Sequence, residues 1–84
     1  HTHVQTADER ILPGGTAYLT DAGMTGPHDS VIGVRPTDAI RRFITQVPTR
    51  FTPSEKGARF CGVLLDIDTI TGKAIQIERL QIID

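Results

Sequence analysis

The sequence has little of what several classes of protein need. It contains one cysteine, Cys61, which excludes an internal disulfide. It has no tryptophan, one tyrosine and three phenylalanines, and no aromatic platforms separate its scattered basic residues, which argues against nucleic-acid binding. No apolar run approaches the roughly 20 residues that span a bilayer, and no signal peptide opens the chain. These absences favour a cytoplasmic protein whose partners include neither a membrane nor a nucleic-acid duplex.

Length and charge set further limits. The 84 residues fit one small domain or a piece of a larger one. A folded chain of this size buries only roughly 60–65% of the surface that it exposes when unfolded, so modest stability is expected. The net charge of -1 gives no reason to expect a strongly acidic partner. The chain begins with His-Thr-His rather than Met, which suggests a partial product that lacks an N-terminal portion.

The first 33 residues carry turn signals rather than long periodic runs. Residues 1–15 are predicted to be irregular, with a turn at Pro13–Gly15. A short strand is expected at 15–20, and a glycine-rich loop follows at 21–33.

Residues 37–47 carry the clearest helix prediction. Four apolar side chains recur at i, i+3, i+4 and i+7 and form one stripe: Ile40, Phe43, Ile44 and Val47. Asp38 would lie near the positive end of the helix dipole, and Pro48 would end the helix. Arg41 and Arg42 lie off the stripe and are expected to face solvent.

The rest of the chain predicts β structure. A short strand is considered at 50–52, and long strands are expected at 58–68 and 74–83, joined by a hairpin turn in which Gly72 adopts positive φ. In the last strand apolar residues occupy both odd- and even-numbered positions, whose side chains point to opposite faces of the sheet. Either both faces are buried or a bulge lies near Glu78–Arg79. The order of strand, glycine-rich loop, helix and β-hairpin predicts an α/β fold.

The most specific chemical pattern is His1-Thr2-His3. In an extended segment, residues i and i+2 point to one side and the residue between them points to the other. Two imidazoles held that way can ligate one metal ion, or one each of a close pair, and zinc, iron and manganese all accept imidazole nitrogen. Surface histidines give the same pattern without a metal. A true N-terminus at His1 would instead create an amino-terminal copper or nickel site.

Other candidate residues have structural alternatives. The loop Met24–Pro27 could present backbone amides to a phosphate, or it could be a tight connection or a subunit contact. His28 is interpreted as an exposed loop imidazole without a catalytic role. Asp66 and Asp68 are interpreted as solvated carboxylates at a strand end. Cys61 lies in an apolar strand pattern and is expected to be a buried small hydrophobe rather than a reactive thiol.

Several runs together resemble one bacterial family. They are His1–Asp8, Ile11–Pro13, Gly15–Tyr18, Thr20–Pro27, Ser30–Gly33, Arg50–Thr52 and the hairpin segment 62–68. They are similar to the C-terminal third of the YmdB-like metallophosphoesterases, which belong to the calcineurin-like superfamily and are of the 2′,3′-cyclic-nucleotide 2′-phosphodiesterase type. The resemblance covers essentially the whole chain, and its specific parts are the H-T-H and G-M-T-G-P runs.

The resemblance implies a fold and a metal site. Residues 1–84 would form the C-terminal segment of a single metallophosphoesterase domain, a β-sandwich with flanking helices, with the N-terminal part absent. Two divalent ions (iron, manganese or zinc) would be bound, with His1 and His3 as metal ligands. The other ligands would lie in the missing N-terminal portion.

The resemblance also implies a function. The expected reaction is metal-dependent hydrolysis of a small nucleotide phosphodiester substrate by a larger enzyme, with 2′,3′-cyclic nucleotides as the expected substrates. No catalytic residue is assigned in this segment, which is expected to be inactive by itself. The alternative is a noncatalytic scaffold or oligomerisation module, and a homo-oligomer stays open in either case.

Overall fold

A computed structural model describes residues 2–83. Within this range the elements are β1 (Arg10–Ile11), β2 (Ala17–Tyr18), β3 (Gly26–Pro27), α1 (Pro36–Thr45), β4 (Ala58–Ile67) and β5 (Ala74–Ile83). Strands β1 and β2 form a small antiparallel pair, and β3, β4 and β5 form a three-stranded antiparallel sheet with β4 in the middle. The combination of a helix with antiparallel sheets confirms the mixed fold class.

Strands β4 and β5 form a long hairpin that matches the two predicted strands. Their register places Leu65 opposite Ile77. In the connection, Gly72 takes a φ of 74°, as predicted, and its N–H donates to the Asp68 carbonyl at 2.7 Å. The Asp68 carboxylate also accepts from the Ile70 N–H at 2.8 Å. Asp68 therefore lies at the strand end, as predicted, and it closes the turn.

The bulge in this hairpin lies away from its predicted position. The register shifts between Asp66 and Ile67, and Ile75 is the extra residue on β5. Pairing is continuous through Glu78–Arg79, so the prediction of a bulge there is wrong.

Both faces of β5 are partly covered. Ile77 and Leu80 are half-buried and, with no register shift between them, they lie on opposite faces of the sheet. Ile75 and Ile82 on the same strand remain 59% and 60% exposed. Each face of the sheet therefore presents apolar surface that the described residues leave open.

Most of the N-terminal part is irregular, as predicted, but two short strands interrupt it. Strand β1 lies within the stretch expected to be irregular, and β2 is shorter than the strand expected at 15–20. Strand β3 lies inside the predicted loop and pairs with the start of β4. The backbone of Leu12 closes the predicted turn, with hydrogen bonds of 2.8 Å to both Thr16 and Gly15.

Helix α1 ends at Thr45 rather than at residue 47. Gln46 takes a left-handed φ of 54°, and its N–H donates to the Arg42 carbonyl at 3.0 Å. This is a common way to end a helix. Val47 follows outside the helix, because a residue that precedes proline disfavours helical backbone. Arg41 and Arg42 are exposed, as predicted. Within residues 2–83 no helix is long and apolar enough to cross a membrane.

The chain after α1 returns to the start of the helix. Asp38 lies in the first helical turn, as predicted, and its carboxylate accepts from the Thr52 N–H at 3.0 Å. The Arg35 N–H donates to the Thr52 carbonyl at 2.9 Å. Residues 50–52 form no strand, so the prediction of a short strand there is wrong.

The N-terminal segment, defined as residues 2–8, is tied to the sheet by one carboxamide. The Gln5 Nε2 donates to the Leu80 carbonyl at 2.8 Å and lies 3.3 Å from the carbonyls of Gly62 and Ala22. Because these acceptors belong to β5, β4 and the preceding loop, a single side chain fixes three parts of the structure relative to one another.

Gly23 lies where this segment, the loop and β4 approach most closely. Its φ is 88°, in the left-handed region that favours glycine. A Cβ at this position would lie 2.9 Å from the Gln5 Cβ and 3.0 Å from the Cys61 Cβ. Only a residue without a side chain fits there. Cys61 itself is 7% exposed, which confirms its predicted burial.

Little else in the structure is buried. Among residues 2–83, the buried side chains are those of Cys61 and Ser54. The helical stripe is present but uncovered, with Phe43 86% and Ile44 77% exposed. The radius of gyration is 17.3 Å, whereas a compact chain of this length would have about 12 Å. The described residues therefore bury little of the apolar surface that their pattern prepares for burial.

This open apolar surface predicts that the 84-residue chain associates, or unfolds in a shallow transition, when it is produced by itself. Phe43→Ser should reduce association without loss of β structure, because it removes a large exposed hydrophobe outside the sheet. Size-exclusion chromatography with denaturant melts measures both properties, and Thr37→Ser serves as the exposed control. A monomer with a cooperative transition worth more than about 5 kcal/mol would contradict this expectation.

The close approach at Gly23 predicts a second result. Gly23→Ala in the full-length protein should lower the free energy of unfolding by about 1–3 kcal/mol, because the added methyl group meets Gln5 and Cys61 and the backbone stays left-handed. Gly14→Ala is the matched control, since a Cβ there meets nothing within 4 Å. Urea unfolding compares the two variants. Equal stability of both would show that the Gly23 contact does not constrain the fold.

Candidate functional site

The N-terminal segment lies against the loop at residues 20–25. The Thr6 N–H donates to the Asp21 carbonyl at 3.0 Å, and the Asp21 N–H donates to the Thr6 hydroxyl at 3.0 Å. An open depression of about 520 Å³ lies between the two, lined by Thr2, His3, Thr6, Thr20, Asp21, Ala22 and Gly23. The depression brings one predicted metal ligand, His3, beside polar groups of the loop.

The backbone at His3 differs from the prediction. Its φ is 62°, in the left-handed region, so the N-terminal segment is not extended there. The extended backbone that the prediction assumed for this segment is therefore absent at His3. A left-handed conformation costs a non-glycine residue roughly 1–2 kcal/mol. Such strain persists where surrounding contacts impose it, and it is concentrated at functional sites.

Thr2 supplies contacts that impose this turn. Its Oγ1 accepts from the Val4 N–H at 3.2 Å, which closes the backbone around His3. The same hydroxyl donates to Asp21 Oδ2. Thr2 was expected to point away from the site, but its side chain joins the N-terminal segment to the loop.

Asp21 is held as a carboxylate by these contacts. The Thr2 hydroxyl and the Gly23 N–H, which donates to Oδ1 at 2.8 Å, hold the pKa of Asp21 below its ordinary value. The nearby His3 lowers the pKa of Asp21 further. Asp21 is therefore ionised near neutral pH, and it places a negative charge on the wall of the depression.

A second carboxylate lies close by. Asp8 accepts from the hydroxyl of Thr20 and from that of Thr6, the latter at 2.6 Å. These hydrogen bonds lower the pKa of Asp8 from 3.8 to about 2. Asp8 therefore adds a second negative charge, and the two carboxylates favour a cation over a bare phosphate group in this region.

The metal-ligand prediction rests on His1 and His3. His1 lies outside the described residues. Within residues 2–83 no group of three or more His, Cys, Asp or Glu side chains is placed to hold a metal ion. Imidazole fits zinc, iron or manganese in ligand type. Two imidazoles are nevertheless fewer than the four ligands of a tetrahedral zinc site, so the ligand role of both histidines stays a prediction.

The Met24–Pro27 loop makes contacts typical of a tight connection. The Thr25 hydroxyl donates to the Cys61 carbonyl at 3.0 Å and accepts from the Cys61 N–H at 3.1 Å. These bonds extend the pairing of β3 with β4 by a side chain. The Thr25 hydroxyl is thus engaged with the sheet, which favours the structural interpretation over phosphate binding.

Two further candidates differ from each other. His28 is half-buried rather than exposed, which corrects the prediction: its Nδ1 lies 3.1 Å from the Gly26 carbonyl and its Nε2 lies 4.0 Å from Cys61 Sγ. Asp66 is exposed on β4, as predicted.

Sequence reasoning missed Asp21 and Gln5. A signal for Asp21 was available, because an aspartate two residues before a glycine is typical of a turn in which the carboxylate accepts the backbone N–H. Its contact with Thr2 crosses 19 residues and leaves no local pattern. Gln5 carries no such signal.

Comparison with known proteins identifies a family and several relatives. The model of the YmdB-like protein family matches residues 1–80. Over 84 residues the chain is 56% identical to the 2′,3′-cyclic-nucleotide 2′-phosphodiesterase of Bacillus subtilis strain 168, and it covers 32% of that protein. The chain therefore spans about a third of the length of this relative.

Solved structures share the same arrangement of helix and antiparallel sheets. A crystal structure described as a novel phosphatase from Mycoplasma pneumoniae is 45% identical, with a TM-score of 0.90 over 99% of this chain and 30% of that chain. A hypothetical protein from Thermus thermophilus is 37% identical, with a TM-score of 0.90 over 100% of this chain and 32% of that one. Together with the family match, which confirms the resemblance read from the sequence, these findings show that the chain belongs to the YmdB-like protein family.

Proposed function

We propose that this chain forms part of a metal-dependent phosphodiesterase that hydrolyses 2′,3′-cyclic nucleotides. The observation that carries the proposal is the 56% identity, over the whole chain, with a Bacillus subtilis protein named for that activity. Because the chain covers 32% of that relative, the activity would belong to a larger cytoplasmic enzyme. In that enzyme the β3–β4–β5 sheet would form part of a β-sandwich, and other segments would cover its apolar faces.

In this proposal His1 and His3 are ligands of two divalent ions, iron, manganese or zinc. When bound, these ions would neutralise the phosphodiester and lower the pKa of the attacking water. Each histidine has to be neutral at its ligating nitrogen, so metal affinity should fall at acid pH. The remaining ligands would come from outside this chain.

Negative charge supports metal dependence: the Asp21 carboxylate lies on the wall of the depression, and Asp8 contacts two of its lining residues, Thr6 and Thr20. Asp8 and Asp21 are ionised near neutral pH, for the hydrogen-bonding reasons given above. An anionic wall repels a phosphodiester, and cations beside His3 would reverse that repulsion. Water would then break one P–O ester bond of the cyclic phosphate and leave a phosphomonoester.

The same reasoning predicts that the chain is inactive by itself. Two imidazoles are too few to hold a pair of metal ions against water and buffer. Substrate contacts outside this third of the protein would also be missing.

Histidine variants of the full-length protein test the proposal. His1→Ala and His3→Ala should each lower kcat by about 1,000-fold or more, because losing a metal ligand removes charge stabilisation worth several kcal/mol at the transition state. Metal content should fall in parallel, while circular dichroism stays close to that of the parent. The measurements are turnover of a 2′,3′-cyclic nucleotide with added manganese and metal analysis of the purified proteins.

The matched control is His28→Ala, which removes the third histidine of the chain from a position beside Cys61. This variant should keep its metal content. Retention of metal and activity by His3→Ala would refute the ligand assignment and favour a noncatalytic scaffold.

A further inference from the structure

Asp21 contacts the N-terminal segment on both sides of His3. Its carboxylate accepts from the Thr2 hydroxyl, one residue before His3. Its backbone exchanges two hydrogen bonds of 3.0 Å with Thr6, three residues after His3. The stretch from Thr2 to Thr6 is thus anchored at both ends to a single residue, and His3 lies between the anchors.

The Thr2 hydroxyl has one proton, and the direction in which it is donated decides which hydrogen bonds the Thr2 oxygen can accept. With the proton donated to Asp21 Oδ2, the oxygen lone pairs are available to the Val4 N–H, which lies 3.2 Å away. That second bond closes the turn in which His3 takes a φ of 62°. Asp21 therefore acts on the His3 backbone through the Thr2 hydroxyl.

Asp21 is itself held in place. Its Oδ1 accepts from the Gly23 N–H at 2.8 Å, so the two carboxylate oxygens point in fixed and different directions. Gly23 in turn packs against Gln5 and Cys61, where a Cβ would be 3.0 Å or closer. These contacts fix the position of the Asp21 carboxylate relative to the buried part of β4.

We propose that Asp21 is a positioning residue, which acts through Thr2 to hold His3 in the conformation that binds metal. This inference rests on the proposed function, because it assumes that His3 is a ligand. Without the Thr2–Asp21 bond, the cost of the left-handed turn favours relaxation of the His3 backbone, which would move the imidazole. Mutating a group that orients a metal ligand without touching the metal typically lowers metal affinity or activity by about 10–100-fold.

The test uses zinc affinity of the full-length protein, measured by competition with a chelator. Thr2→Val keeps the shape of the side chain but removes the hydroxyl, and it should weaken zinc binding by about 10–100-fold. Thr2→Ser restores the hydroxyl and should bind zinc within about threefold of the parent, a rescue that loss of packing would not produce. Thr69→Val, at an exposed turn position, is the control.

Asp21→Ala tests the other end of the same bond. It should weaken zinc binding at least as much as Thr2→Val, and the double variant should be no weaker than Asp21→Ala within about threefold, because both changes remove one shared interaction. Asp66→Ala, which removes an exposed carboxylate from β4, should leave zinc affinity unchanged. If Asp21→Ala fails to fold, Thr2→Val and its rescue by Thr2→Ser still decide the question.

The results separate two failures. If His3→Ala loses zinc while Thr2→Val binds it as the parent does, the positioning role is overturned and the ligand assignment stands. If His3→Ala keeps zinc, the ligand assignment fails and the positioning role fails with it. Fully additive losses in the double variant would also overturn the relay from Asp21 through Thr2.

Discussion

The antiparallel pairing of β4 with β5 holds the other described strands and the N-terminal segment in place. Strand β3 continues the sheet on the free edge of β4. The turn between β1 and β2 attaches to the start of β5, where the Ala74 N–H donates to the Gly15 carbonyl at 2.8 Å. Gln5 reaches carbonyls of both long strands. The N-terminal segment that carries His3 is therefore positioned by the hairpin, although it belongs to no strand itself.

The hairpin provides this support without a conventional core. Apolar side chains of α1 and of both sheet faces remain exposed, up to 86% at Phe43. A sequence that places apolar residues so regularly stabilises a fold only when they are covered. In the proposed larger enzyme, other segments would cover these side chains, because the chain accounts for only 32% of the length of the Bacillus subtilis protein. A scaffold or oligomer could cover the same surface. The Asp21 carboxylate, which contacts the segment that carries His3, favours the proposed metal-dependent enzyme over such a module.

Long periodic elements were predictable from the sequence, and contacts between distant residues were not. Helix α1 and strands β4 and β5 are long enough to show a periodic pattern of apolar residues. Gly72 marks the turn between β4 and β5. The two-residue strands have no period. The position of the bulge at Ile75 could not be predicted, because apolar residues at both odd- and even-numbered positions of β5 are compatible with several pairing registers with β4. At the site, the H-T-H run identified candidate ligands, but the left-handed His3 depends on Thr2 and Asp21, which meet only in three dimensions.

The most direct test of metal binding by His1 and His3 is a crystal structure of the full-length protein grown with zinc, with diffraction recorded on both sides of the zinc absorption edge. Two anomalous peaks are expected, with a ring nitrogen of His1 and a ring nitrogen of His3 each about 2.0–2.1 Å from a zinc ion. Zinc bound in the protein with both imidazoles more than about 3 Å away would contradict the proposed role of this segment.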